Sequence, residues 1–381
     1  MKSICGVAGV TAAGIKEGKY GLALIKASGE SAAVFTRNKA RAPVIDLMVE
    51  RMKKNRLEGI IANSGCANAY TGKRGMEDAI RMATIGGEAL GIDPMRVGVA
   101  STGVIGRYLN LDLIEKQAGT LQLSSSEEAE IQAARAIMTT DLVEKHALIQ
   151  GEGFSVGGIA KGSGMIAPNM ATMLGFMYTD ARIPQQDLQA ILKRAVSRSF
   201  NRTVVDGDVS TNDCVFLTAT GEAGAVPLKE FEQNLTATCI HLAKAIARDG
   251  EGATKLIEVI VSGARNESDA EKVAKAVVTS PLVKTAVYGQ DPNWGRVVAA
   301  AGYAGVDFEI PDLSLWIGTG EEKTPLVQKG EITADLATAK AAMKGDTVVF
   351  SIDLDSGAAE ATAWGCDLTE KYVEINGKYT T

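Results

Sequence analysis

The residues best suited to covalent chemistry lie in one stretch, Lys161-Gly-Ser-Gly-Met-Ile-Ala-Pro-Asn-Met-Ala171-Thr172-Met-Leu-Gly. Glycines and small residues fill its first half. Pro168-Asn169 marks a turn just before Thr172. Beyond Thr172 the chain becomes apolar and strand-like, with Met173, Leu174, Phe176, Met177 and Tyr178. A small residue, then a threonine, then a buried strand is what a self-cleaving N-terminal nucleophile needs. The hydroxyl attacks the preceding carbonyl where the backbone bends sharply and Ala171 leaves room. Cleavage frees the Thr172 amine, which stands beside its own hydroxyl as a general base. On the residues alone, a glycine loop feeding a buried strand is the plainer reading and the favoured one.

Other chemistries fare worse. Gly157 to Gly162 has the glycine spacing of a phosphate-binding loop, but Ser163 stands where lysine is needed and Lys161 precedes its glycine. The five cysteines, Cys5, Cys66, Cys214, Cys239 and Cys366, are scattered and never spaced as Cys-x-x-Cys, so neither a disulfide framework nor a zinc site is indicated. Cys66 and Cys214 sit in polar, glycine-containing stretches where a nucleophile is conceivable, yet buried thiols are the expectation. His146 and His241 are the only histidines. His241 rides on a helix whose apolar stripe is Phe231, Leu235, Cys239, Leu242 and Ile246, and nothing near either histidine suggests a triad or metal site. Acid–base work then falls to lysine, carboxylates or a free amine. Asp206, Asp208 and Asp213 with Asn201 and Asn212 resemble a cation loop only loosely. No glutamate closes it as in an EF-hand, so a polar loop is expected.

These residues need elements to hold them. At 381 residues, two domains are expected. The hydrophobic share of 46% and charged share of 23% are those of an ordinary globular protein. A net charge of −6 argues against a nucleic-acid surface. No run is long and apolar enough for a membrane span, and the start lacks a signal-peptide core, so a cytoplasmic protein is expected.

Short strands are expected at Gly6–Val10, Tyr20–Ile25, Ala32–Phe35 and Leu57–Ala62. The last runs into Asn63-Ser-Gly-Cys-Ala-Asn68, either a turn closed by Asx hydrogen bonds or polar groups aimed at a ligand. Val97–Ala100 is a buried strand leading into Ser101-Thr102-Gly103, which can offer a hydroxyl and a backbone N–H to an oxyanion. Helices are expected over Met76–Leu90, Ser124–Met138, Asp187–Phe200, Leu228–Asp249, Asn266–Ser280 and Val297–Ala304. Thr139-Thr140-Asp141 either caps a helix end or lines a pocket. Late strands are expected at Leu256–Ser262, Leu313–Ile317 and Val348–Leu354, the last pairing with Ala361–Cys366. A domain boundary is placed at 265/266. The polar tail Asn376–Thr381 reads as disordered.

Taken together, these motifs resemble one family, the ornithine acetyltransferases, which are the glutamate N-acetyltransferases of arginine biosynthesis. The Lys161–Leu174 stretch is similar to that family's self-cleavage motif. Ser-Thr102-Gly103-Val-Ile-Gly is similar to its oxyanion motif. Thr139-Thr-Asp, Asp249-Gly-Glu251-Gly-Ala-Thr-Lys, Gln290-Asp-Pro-Asn-Trp-Gly-Arg and Tyr-Thr-Thr381 also match. The resemblance covers essentially the whole chain.

It implies a precursor that cuts itself between Ala171 and Thr172 into alpha and beta chains. Thr172 then takes acetyl from N2-acetylornithine and passes it to glutamate by a ping-pong route. Thr102 and Gly103 would stabilise the oxyanion. Thr139, Lys161, Thr172, Glu251, Asn376 and Thr381 would bind substrate. Lys161 suits the carboxylate that both substrates carry, and Glu251 suits the ornithine ammonium. No metal or cofactor is implied. Acetyl-CoA is an additional donor in some members and not in others. The implied fold is α/β, a layered helix-sheet-sheet-helix core over residues 1–265 with Thr172 on a central strand, and a smaller α/β domain over 266–381 that completes the substrate site. The implied assembly is an alpha2-beta2 unit or larger.

Two alternatives compete. A self-processing amidohydrolase or aminopeptidase of related fold would pass the acyl group to water, though related aminopeptidases place serine at the cleavage point. A non-catalytic amino-acid-binding protein would stay as one chain.

Overall fold

The computed structural model describes residues 2–54, 56–167, 173–320 and 323–378. Ala171, Thr172 and Thr381 lie outside this set. In chain order the elements begin with β1 (Thr11–Glu17), β2 (Tyr20–Phe35), α1 (Pro43–Arg51), β3 (Arg56–Ser64), α2 (Gly72–Leu90), β4 (Val97–Ser101), α3 (Leu111–Thr120) and α4 (Glu127–Ile137). They continue with β5 (Lys145–Gln150), β6 (Ser155–Lys161), β7 (Leu174–Arg182), α5 (Gln185–Ser197), β8 (Thr203–Val204), β9 (Cys214–Ala225) and α6 (Leu228–Arg248). Next come β10 (Leu256–Ala264), α7 (Glu267–Thr279), α8 (Pro281–Tyr288), α9 (Trp294–Gly302), β11 (Ser314–Ile317) and β12 (Thr324–Gln328). The last are β13 (Glu331–Ile332), α10 (Leu336–Ala342), β14 (Thr347–Asp353), β15 (Ala359–Cys366) and α11 (Glu370–Lys378). This is a mixed α/β protein with two sheets, each flanked by helices. No helix of the described residues is long and apolar enough to cross a membrane.

The chain divides into two compact units. The first holds the chain up to Asn201 and again Asp208–Leu242; the second holds Arg202–Gly207 and Ala243 onward. In the first, the sheet runs β4-β3-β2-β9-β7-β6-β5, with β1 paired to β2. β7 is interior, parallel to β9 and antiparallel to β6. Every residue of it except Arg182 is buried, the polar Thr179 and Asp180 at its far end included. That strand is the one Thr172 leads into.

α4 packs on β1, β2 and β3. Ser126 caps it by accepting from the Ala129 amide, and Glu127, Glu128 and Glu130 occupy its first turn. Its buried face is small, with Ala129, Ala133, Ala134 and Ala136, so the helix sits close to the sheet.

Two expectations for the first unit fail for local reasons. Gly6–Val10 is no strand: Ile4–Gly6 is a 3-10 turn, and the buried Glu130 carboxylate accepts from the Ser3 and Cys5 amides at 2.5 and 2.7 Å. Tyr20–Ile25 and Ala32–Phe35 are one strand, β2, with a register shift between Lys26 and Gly29 in place of a turn. The Ser31 hydroxyl takes the Leu57 amide at 3.1 Å where the ladder slips.

The second unit is built on the sheet β13-β12-β11-β14-β10-β15-β8. β15 does not pair with β14 as the sequence led us to expect. β10 lies between them, parallel to β14 and antiparallel to β15. Ile257, Val259 and Val261 make β10 the buried centre, covered by Ala270, Val273, Ala274 and Val277 of α7. The position 265/266 falls between β10 and α7, inside this unit.

Candidate active site

Strand register sets the first unit's chemistry. Lys161, the last residue of β6, pairs with Leu174, the first of β7. It is 6% exposed, and its ammonium donates to the Thr102 hydroxyl at 3.3 Å. Thr102 directly follows β4, and its amide donates to the Asn63 carbonyl at 3.0 Å. Gly103 has φ +128°, and a Cβ there would stand 2.4 Å from the Gly65 carbonyl carbon. Only glycine lets the chain after Thr102 lie flat on the Gly65-Cys66 backbone.

That loop is buttressed by a residue the sequence reading left as polar filler. Asn212, 4% exposed, donates through Nδ2 to the Ala67 carbonyl at 2.6 Å and the Ser101 carbonyl at 2.9 Å. It therefore ties the end of β4 to the loop after β3. The Thr211 hydroxyl fixes the carboxamide by donating to its oxygen at 2.6 Å. These bonds make Asn212 a brace between the two loops. Asn63 and Asn68 likewise bond inward, donating through Nδ2 to the Cys66 and Gly75 carbonyls at 2.9 and 2.8 Å.

Thr139 enters through Asp141, which is fully buried at its side chain. One carboxylate oxygen accepts from Lys145 Nζ and from the Gly162 amide, both at 2.7 Å. The other accepts from the Thr139 amide at 3.0 Å. One buried anion thus locks the segment after α4 to the residue that follows Lys161. Burial pushes the Asp141 carboxyl up, but Lys161, Lys145 and the donated hydrogen bonds outweigh it and hold it at about 2, against 3.8.

The folded state therefore keeps this proton off. Its stabilisation is complete above about pH 4, is lost as pH falls through about 2, and amounts to roughly 2 kcal/mol. Asp141→Asn leaves the buried Lys145 ammonium facing a neutral amide. It is expected to lower the unfolding free energy at pH 7 by about 3 kcal/mol or more. In urea titrations the gap from wild type should narrow as pH drops from about 4 to 2; a gap equal at pH 7 and 2.5 contradicts the assignment.

Lys16 was also missed. It sits on β1 beside Glu17 and Gly18, where a sequence shows only a charged hairpin. Its ammonium donates to the Ser64 hydroxyl at 2.7 Å and to the Met138 carbonyl.

The candidate thiols are inert. Burial pushes Cys66 and Cys214 up, and Cys66 donates to the Arg107 and Tyr108 carbonyls at 3.2 and 3.4 Å. His241 has the expected setting, since Phe231, Leu235, Cys239, Leu242 and Ile246 are all buried.

In the second unit Glu251 and Asn376, 125 residues apart, come together, with the Asn376 carboxamide donating to Glu251 Oε2 at 2.8 Å. Asn376 lies on α11, so the tail is helical to Lys378 where disorder was expected. The structure thus gathers Thr102, Gly103, Thr139 and Lys161 in one unit and Glu251 with Asn376 in the other.

The chain was compared with known proteins. The family model described as the ArgJ family matches residues 7–381. A glutamate N-acetyltransferase from Methanosarcina mazei is 52% identical, over 99% of this chain and 98% of its own. An arginine biosynthesis bifunctional protein ArgJ from Archaeoglobus fulgidus is 46% identical, over 99% and 100%. The crystal structure of arginine biosynthesis bifunctional protein argJ from Bacillus halodurans is similar to this fold with a TM-score of 0.52 and 44% identity. It matches 55% of this chain and 100% of its own.

Proposed function

Because this chain belongs to the ArgJ family, we propose that it transfers an acetyl group from N2-acetyl-L-ornithine to L-glutamate in arginine biosynthesis. The reading is carried by the hydrogen bond from Lys161 to Thr102. It joins two motif residues 59 apart in sequence at the strand that follows Thr172.

The chain first cleaves itself. The Thr172 hydroxyl attacks the Ala171 carbonyl, the peptide becomes an ester, and water releases the alpha chain with a free amine on Thr172.

Turnover has two halves. Thr172 Oγ attacks the acetyl carbonyl while the Thr172 amine takes its proton. The oxyanion rests on the Thr102 hydroxyl and the Gly103 N–H. The proton passes to the departing amine and ornithine leaves. The glutamate amine then attacks the acetyl ester and loses a proton to the same base, which returns it to Thr172 Oγ as the ester bond breaks and N-acetylglutamate departs. Lys161 holds the carboxylate common to both substrates, with Thr139 beside it. Glu251, steadied by Asn376, takes the ornithine ammonium, and Thr381 completes the substrate contacts. Donor and product are both amides of similar energy, so the exchange needs no metal or nucleotide.

The alpha and beta chains assemble as an alpha2-beta2 unit or larger. We place the reaction in the cytoplasm, where the protein's five unpaired thiols fit a reducing compartment.

Intact mass under denaturing conditions, followed by an acetyl-transfer assay, tests the proposal. Two polypeptides, the second starting at Thr172, with N-acetylglutamate formed faster than free acetate, are expected. A single inactive chain, or acetate as the main product, overturns it.

Asn212→Ala should lower kcat about tenfold with KM little changed, because it loosens the oxyanion loop and not the substrate grip. It should also cost roughly 1–3 kcal/mol in urea unfolding, since two buried carbonyls lose their donor. A changed KM with unchanged kcat contradicts this.

A further inference from the structure

The end of α4 has an unusual arrangement. Carbonyls in a helix's last turn lack partners within the helix and favour a cation. The basic residue in α4's own last turn, Arg135, points away and pairs with Glu144 at 2.8 Å. The cation comes from β1. Lys16 Nζ donates to the Met138 carbonyl and, at 2.7 Å, to the Ser64 hydroxyl, which donates to the Ala136 carbonyl at 2.7 Å. Gly21 makes room for this: a Cβ there would stand 2.1 Å from the Ala136 oxygen and 2.9 Å from Lys16 Cδ. The next residue after Met138 is Thr139, whose amide is tied to Asp141.

We propose that Lys16 is a positioning residue for the acetyl-transfer site: its ammonium, acting with Ser64, clamps the end of α4 and so fixes where Thr139 stands relative to Lys161. The inference rests on the acetyl-transfer reading above.

Lys16's charge is not neutral in its effect. Burial first, and then neighbouring Lys161, draw its ammonium down to about 8 from 10.5, while Asp141 opposes the shift. Other charges on the packed elements are engaged elsewhere. On α4, Glu130 accepts from the Ser3 and Cys5 amides, Glu128 from Gln132, and Arg135 is held by Glu144. On β2, Lys26 donates to the Leu90 carbonyl and Glu30 pairs with Arg56. Glu17 accepts from Gln117, and Lys145 donates to Asp141. The clamp therefore weakens as pH rises through about 8. The Thr172 amine acts in the opposite sense, since it must be unprotonated, so it shapes only the rising limb.

The test follows kcat/KM from pH 6 to 10 in wild type, Lys16→Met and Lys16→Arg, with hydrogen exchange of the 131–145 segment measured alongside. Wild type is expected to show a falling limb near pH 8. Lys16→Arg should keep activity and move that limb up by more than one unit, because a guanidinium stays charged. Lys16→Met should cost about tenfold at pH 7, abolish the limb and speed exchange around Thr139 about tenfold. A falling limb near pH 8 that is unmoved in Lys16→Arg, or wild-type exchange in Lys16→Met, overturns the proposal. If wild type transfers no acetyl group, the function reading falls, and the exchange data alone still decide whether Lys16 clamps Thr139.

Discussion

Thr172→Ala is expected to leave one polypeptide of 39.9 kDa and to abolish acetyl transfer. In the proposed mechanism the same hydroxyl cuts the chain and carries the acetyl group, and the amine that serves as its base does not exist until the cut is made. Losing one methyl-bearing carbinol therefore removes nucleophile and base together. Deleting the nucleophile of a hydroxyl-based acyl-transfer site costs roughly 10⁴- to 10⁶-fold in kcat. Thr172→Ser separates the two roles from folding. It keeps the hydroxyl and should still cleave and turn over at a reduced rate, because it lacks the methyl that restricts χ1. Denaturing mass spectrometry and a coupled assay for N-acetylglutamate read both steps. Transfer at the wild-type rate by uncleaved Thr172→Ala sinks the mechanism.

Thr102→Val is expected to lower kcat by about 10²- to 10³-fold while KM moves little. Valine keeps the shape and removes only the hydroxyl. The oxyanion exists in the transition state and not in the bound substrate, so the loss belongs in kcat. The main-chain bond from the Thr102 amide to Asn63 survives, and the loop should keep its path. Lys161 loses an acceptor at 3.3 Å, so a modest rise in KM for N-acetylornithine accompanies the main effect. Steady-state kinetics with both substrates varied will separate the two. A kcat within twofold of wild type removes Thr102 from the oxyanion site.

Periodicity was legible where one principle dominated. The apolar stripes of α5 and α6, and the apolar run Leu174–Tyr178 of β7, show their burial directly in the sequence. It failed where a tertiary partner replaced a local signal. Gly6–Val10 has the composition of a strand, but Glu130 takes the Ser3 and Cys5 amides just before it, and the Gly6, Val7 and Val10 amides close local turns onto Ser3, Ile4 and Val7. Ala27-Ser-Gly-Glu has the composition of a turn, yet Ser31 fills the slip in the ladder and β2 runs on. β14 and β15 are neighbours in sequence, but β10 lies between them, pairing with both.

The site divides in the same way. Residue type suggested Thr102 and Gly103 for an oxyanion and offered Thr172 as a second choice, while the family resemblance pointed to Thr172, Lys161, Thr139, Glu251 and Asn376. Asp141 stood in a marked trio without a role of its own, and Asn212 and Lys16 had no such mark. Their work is to hold backbone carbonyls and amides that only the folded chain brings within reach. A carboxylate whose partners are the Gly162 and Thr139 amides looks in sequence like any exposed aspartate. The sequence by itself determined which functional groups the chain can offer to acyl transfer, since reactivity belongs to functional groups. The tertiary structure decided the geometry, since a hydrogen bond depends on distance and angle across residues that the chain places far apart.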